Sequence, residues 1–419
     1  MKAGACLSVE LIFFSFERRI GMRWFLGIDI SKSSFDTTLL DGKSGKLHHD
    51  RFTMDKEGLD ALMKHLTPLP KDSLFIVMES TGIYHLPLLA FLLEQGFTCS
   101  VINPTLLKHH IQSSTLRKSK TDRKDALAIA RFASMHHASL KPANLDALRS
   151  IRPLLREREA LSKEVAKLKT DIKALVDQLF PELSKNTNIF TRSILHLLLQ
   201  APSRKRVRNL KEKKIQRILD KASGNKVRLS AKEILALAKN SIGINNPHLE
   251  TVLQSKIRRL EHVQSEIETL EKAIEEAVKE ERLDDDIHTL TSIPGIGTTT
   301  ATNFVAEIGS IKRFASVKQL CAFIGFDPAI RQSGSSIDSK GHISKRGHAS
   351  LRRTLWQMAI GVIRCLPKYK AYYEKKRQEG KTFKQAVVAV GNKLLRLLFT
   401  LLKNKMPFHE ELAMKGVTA

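Results

Sequence analysis

The chain has 419 residues, 42% of them hydrophobic, enough for two or three domains with cores of their own. Lys and Arg number 70 against 43 acidic residues, a formal net charge of +27. That excess points to a polyanionic partner, nucleic acid ahead of an acidic membrane surface. No apolar run in the sequence reaches the length of a membrane span. The four cysteines, Cys6, Cys99, Cys321 and Cys365, form no CxxC pair and fit reduced thiols in a cytoplasmic protein, and no His/Cys zinc spacing appears.

In chain order, residues 1–21 carry a short apolar run at 11–16 without a small-residue cleavage site. Met22 reads as the natural start, and residues 1–21 as a dispensable extension. Residues 23–140 alternate strands and helices. Strands are expected at 24–30, 35–40, 46–53, 75–79 and 98–102, and helices at 56–66 and 84–95, with Gly96 ending the second. A hairpin at Asp41-Gly42 followed by βα units suits an α/β fold with an RNase H-like mixed sheet.

Four acidic residues stand out in this basic chain. Asp29 lies within the apolar run 24–30, and Glu79 ends the apolar run 74–79. Thr121 can cap a helix whose first turn holds Asp122 and Asp125, three residues apart and on one face. A carboxylate at the end of a buried strand is costly unless something pairs with it. Three such places converging would hold hard divalent cations, and two cations can drive in-line attack at a phosphodiester. Asp36 reads as hairpin surface, and His85 and His110 as surface histidines.

From residue 150 the pattern changes. Leu161, Val165, Leu168, Ile172, Leu175 and Leu179 form one seam with alternating steps of four and three; Ile257, Leu260, Val263, Ile267, Leu270 and Ile274 form another. The seams suit a coiled coil, closed either as an intramolecular hairpin or across a dimer. The basic stretch between them, with Arg204, Lys205, Arg206, Arg208 and the lysines at 211–214, suits nucleic-acid contacts; a solvated linker is the alternative. Residues 285–405 read as a mainly helical domain. Its segment 290–301 resembles a helix-hairpin-helix, in which Gly295 and Gly297 would aim backbone amides at a phosphate. A loop over 325–336 leads to Lys345, Arg346, Arg352 and Arg353, which suit phosphate contacts. Trp356 reads as core.

Several motifs then fall in one order: Gly27-Ile-Asp-Ile-Ser-Lys32, Glu79-Ser-Thr-Gly82, Lys120-Thr-Asp-Arg-Lys-Asp125, Ile293-Pro-Gly-Ile-Gly297, Gly325-Phe-Asp-Pro328, Gln332-Ser-Gly334 and Ile343-Ser-Lys-Arg-Gly347. Together they resemble the DEDD-type insertion-sequence transposases of the IS110 family, relatives of the Piv/MooV DNA invertases. The resemblance implies a RuvC-like domain over 22–145, a coiled-coil region with a basic insertion over 146–284, a C-terminal transposase domain over 285–405 and a tail over 406–419. It implies that Asp29, Glu79, Asp122 and Asp125 hold magnesium, two ions with manganese able to substitute. It makes Ser333 the nucleophile, and it implies guidance by a structured RNA that pairs with donor and target DNA. A homo-oligomer, dimer or tetramer, beside the bacterial or archaeal nucleoid is the matching expectation. The residues by themselves leave open a hydrolytic RuvC-like endonuclease, which would use water in place of Ser333, and a nucleic-acid-binding protein without chemistry. Ser335, Ser336, Ser339 and Ser344 compete locally with Ser333.

Overall fold

The computed structural model describes residues 21–80, 82–114, 121–145, 150–222, 229–326, 343 and 347–410. The extension at 1–20, Ser333 and its competing serines, Lys345 and Arg346 lie outside the described residues. The chain divides into two compact units, Met1–Ser150 and Ile151–Ala419.

The first unit holds β1 (Trp24–Ile30), β2 (Ser34–Asp41), β3 (Leu47–Thr53), α1 (Lys56–Leu66), β4 (Leu74–Glu79), α2 (His85–Glu94), β5 (Thr98–Ile102), α3 (Pro104–Ser114) and α4 (Asp122–His136). The strands lie within a residue or so of the sequence expectation. They form one sheet in the order β3-β2-β1-β4-β5. The β1–β2 and β2–β3 pairs are antiparallel, and the β1–β4 and β4–β5 pairs are parallel. Side chains alternate between faces along each strand. One face, with Leu26, Ile28, Ile76 and Met78, packs with Leu62 and Leu66 of α1 and Leu88 and Leu92 of α2. The other, with Phe25, Phe75 and Val77, packs with Leu107 of α3 and Ile129, Phe132 and Ala133 of α4.

Gly27 of β1 sets how closely α4 approaches the sheet. A Cβ on Gly27 would lie 2.3 Å from the carbonyl oxygen of Ala126 and 2.3 Å from the amide nitrogen of Ala130. Only a residue without a side chain lets the helix backbone rest on the strand there. Gly27→Ala is therefore expected to cost about 3 kcal/mol of stability by overpacking and to shift the first turn of α4. Denaturant unfolding together with a cleavage assay checks this; unchanged values for both would contradict the contact.

The second unit is built on two long helices, α5 (Arg152–Leu179) and α11 (Pro247–Glu280). Their ion pairs, Arg158–Glu271, Glu164–Arg259 and Asp171–Lys256, descend on one helix as they climb on the other, so the helices are antiparallel. Leu168, Ile172, Leu175 and Leu179 share a buried cluster with Leu253, Ile257, Leu260 and Val263. The hairpin alternative thus describes these seam residues within one chain.

The segment between them holds α6 (Pro181–Asn186), α7 (Arg192–Gln200), α8 (Arg204–Arg208), α9 (Glu212–Ala222) and α10 (Ala231–Asn240). Val207, Ile215, Leu219 and Ile234 are buried in the same cluster. The described part of the basic stretch is a folded subdomain, which corrects the solvated-linker alternative.

The remaining helices are α12 (Asp284–Thr291), α13 (Thr298–Ile308), α14 (Val317–Ile324), α15 (Ala349–Cys365), α16 (Pro367–Gln378) and α17 (Phe383–Asn404). They enclose one large apolar core. The 22-residue α17 is long and apolar enough to cross a membrane by length and composition, which corrects the expectation that no apolar run reaches that length. Its buried residues, among them Val387, Val390, Leu394, Leu398 and Leu401, belong to this core. Trp356 packs against the core edge-on to Phe383, with ring centroids 6.0 Å apart.

Candidate functional site

Strand register places two of the four acids together. β1 and β4 run parallel, with Ile28 beside Met78 as the last printed pair. Asp29 and Glu79 are each one residue further on, at the C-terminal ends of neighbouring strands. By alternation both share the face of Gly27 and Val77, the face that α4 covers.

The helix brings the other two. Thr121 caps α4 by accepting from the Lys124 amide, which places Asp122 and Asp125 in the first turn. Further along, Ala126 and Ala130 lie on Gly27, and His137, just past the helix, lies 5.1 Å from the Phe25 ring. The helix thus runs back along β1, with its N-terminus over the strand end that carries Asp29. The partial positive charge of a helix N-terminus favours acids there.

Asp36 belongs to the same cluster, which corrects its reading as hairpin surface. It is paired with Asp29 across β1 and β2, and with Arg51 across β2 and β3. Its side chain is only 16% exposed and lies 3.8 Å from the Arg51 guanidinium. Burial and the nearby Asp122 push its carboxyl above the ordinary carboxylate range, while Arg51 pulls it down. The helix N-terminus over the end of β1 brings the first turn of α4 toward this row. In the next row, Thr38 contacts His49 Nδ1 at 2.6 Å, and burial and the α4 residue Arg123 lower the affinity of His49 for a proton. Nothing local marks Asp36, because its neighbours are set by cross-strand register.

His85 is a second correction. It opens α2 and is buried, with its Nδ1 lacking a hydrogen-bond partner. Burial lowers its proton affinity. His110 is half-buried and packs edge-on to Phe132 at 5.3 Å.

A DEDD transposase model of the IS110 family matches residues 26–181, and a model described as "Transposase IS116/IS110/IS902 family" matches residues 287–374. This chain belongs to that transposase family. It is similar over most of its length to the pilin gene-inverting protein of Moraxella bovis, at 22% identity over 93% of this chain and 98% of the relative. The transposase for insertion sequence element IS1111A of Coxiella burnetii is 24% identical, over 96% of each chain. The transposase is a DNA-processing enzyme.

In the second unit of the transposase, several expected nucleic-acid residues have internal partners. Gly295 has a φ of +94°, and a Cβ on it would meet the carbonyl of Gly361 in α15 at 2.4 Å, so this turn is shaped by helix packing. Gly297 caps α13 with open space around its Cα. Arg352 donates to the carbonyls of Ile324 and Gly347, at 3.1 and 2.6 Å, and Arg353 pairs with Glu159. Arg204 donates to the carbonyls of Ser241 and Gly243. Arg206 pairs at 3.0 Å with the buried Glu250, which also accepts from Ser203. Lys205 and Arg208 are exposed.

The exposed cations of the insertion gather on α9 instead. Its buried face carries Ile215, Ile218 and Leu219. Its other face carries Lys213, Lys214, Arg217 and Lys221, about a helical turn apart. With Lys211 and His196 of α7 they line an open cleft of about 420 Å³. The lysines at 211–214 are part of this face, and the helix bounds carry it on to Arg217 and Lys221.

Proposed function

We propose that the transposase cleaves and rejoins DNA strands at the Asp29, Glu79, Asp122 and Asp125 cluster, with Ser333 as the nucleophile and a structured RNA as guide. The observation that carries the reading is the convergence of β1, β4 and the first turn of α4 on one sheet face. The strand order, with a β1–β3 meander continued by parallel β4 and β5, supports an RNase H-like, RuvC-type domain.

The donor set fits magnesium, or manganese in its place: these are carboxylate oxygens, which hard divalent cations prefer, on rigid elements. When bound, a pair of such ions would stabilise the charge that develops on the attacking and leaving oxygens of a phosphodiester. The chain's part is to hold the carboxylates. Gly27 seats α4, and Thr121 fixes its first turn. Arg51 holds Asp36 beside Asp29, where Asp36 orients the row and offsets part of the positive charge. The serine hydroxyl forms an Oγ–P bond as the bond to the departing sugar oxygen breaks, and the hydroxyl proton passes to solvent or to a carboxylate. Rejoining reverses these changes on a different strand.

The α9 cleft and the net charge of +27 support phosphate-backbone binding in the insertion, and we assign the guide RNA there. The pilin gene-inverting relative supports recombination by strand exchange. A homo-oligomer acting in the cytoplasm at the nucleoid completes the proposal. The test is adduct trapping: denaturing gels of protein with labelled element-end DNA and its RNA, with and without magnesium. A covalent protein–DNA band that requires magnesium is expected. Cleavage without any adduct would favour the hydrolytic alternative.

A further inference from the structure

We propose that His48, Asp50 and His65 form a second metal site, of the zinc type, on the sheet face opposite the carboxylate cluster. His48 and Asp50 lie two apart on β3, the edge strand of the sheet, so both share the face of Phe52. That face packs against α1: Phe52 shares a core cluster with Leu62 and Leu66, and its ring stands edge-on to His65 at 5.4 Å. His65 sits near the end of α1 and brings its imidazole to the strand pair, 6.1 Å between ring centroids from His48. One donor atom from each of the three residues lies within 4.8 Å of the other two.

The details suit a transition metal. His65 Nδ1 lies 3.0 Å from the Ala61 carbonyl. A carbonyl can only accept, so Nδ1 donates and the Nε2 lone pair is left for a ligand. Second-partner hydrogen bonds of this kind orient metal-binding imidazoles. His48 Nε2 and Asp50 Oδ2 are already 3.0 Å apart. Bonds of about 2.0–2.2 Å in a tetrahedral zinc site set ligand atoms roughly 3.3 Å apart. Small side-chain rotations of these accessible groups close the set. Three protein ligands leave a fourth position for water. Two imidazoles and a carboxylate favour zinc, nickel or cobalt over magnesium, which keeps this site chemically distinct from the oxygen-only cluster. On binding, the ion ties the edge strand to α1.

The three residues lie on the opposite face from the four acids, so binding is measured with the carboxylate cluster disabled. Untagged full-length protein carrying Asp29→Asn is titrated with zinc against a chromophoric zinc indicator, in excess magnesium. Cobalt absorption and thermal unfolding are followed in parallel. The expected result is one saturable zinc per chain, a cobalt spectrum with imidazole character and a rise in Tm of a few degrees. His65→Ala and His48→Ala, checked for native circular dichroism, are expected to weaken binding at least about tenfold and to remove the Tm rise. His262→Ala, at an exposed position on α11, is expected to change nothing. Absence of zinc binding, or equal affinity and stoichiometry in the His48→Ala/His65→Ala pair, would overturn the proposal.

Discussion

Ser333→Ala is expected to eliminate both the covalent DNA adduct and strand exchange, while RNA binding and assembly stay intact. A serine hydroxyl is a weak nucleophile until a base or a metal ion activates it. Removing it should cost at least about a thousandfold in strand exchange, the scale of several kcal/mol of lost transition-state stabilisation. Ser335→Ala and Ser336→Ala serve as controls and should keep adduct formation within a fewfold of the parent chain. A persistent adduct in Ser333→Ala would place the nucleophile on another residue. Cleavage without an adduct would make water the nucleophile.

Neutralising the α9 face is expected to have the second large effect, on binding. The chain carrying Lys213→Gln, Lys214→Gln, Arg217→Gln and Lys221→Gln loses four exposed charges that line the cleft. Each phosphate contact contributes about 0.7–0.9 to the slope of log affinity against log salt, so the slope should fall by roughly 3. Stability should change little, because exposed substitutions on a helix face are mild. Arg206→Gln should do the reverse. It leaves Glu250 buried beside Ser203 without its guanidinium, so it should lower Tm and leave the salt slope nearly unchanged. Filter binding across a salt series, with unfolding measured on the same samples, checks both outcomes. An unchanged slope in the four-fold variant would remove the cleft from the nucleic-acid surface.

These two cases mark what local sequence can carry. Asp29 and Glu79 were legible because an acid inside or ending a short apolar run has few structural uses, and the strand period fixes which face it takes. Asp122 and Asp125 were legible through the Thr121 cap and the three-residue spacing. Asp36 was not, because its place opposite Asp29 follows from hairpin register and its closeness to Asp122 from the seating of α4 on Gly27. The basic insertion shows the same division. Charge density along 204–221 was plain in the sequence, but Glu250, far along the chain, decides that Arg206 serves the fold. The burial of Ile215 and Leu219 decides that Lys213, Arg217 and Lys221 face outward. In the helical domain, Gly295 suggested a phosphate turn by motif, whereas its neighbour is the Gly361 backbone of a helix more than sixty residues on.

The most direct measurement of the proposed metal-ligand role is strand cleavage by Asp29→Asn and Asp29→Cys in magnesium and in manganese. Asparagine keeps the volume of aspartate and removes its charge, so Asp29→Asn should lose at least about a thousandfold in both metals while folding normally. Cysteine supplies a thiolate, which manganese accepts more readily than magnesium. Asp29→Cys should therefore be inactive with magnesium and partly active with manganese. Near-normal cleavage by Asp29→Asn in magnesium would contradict a catalytic carboxylate cluster at the end of β1.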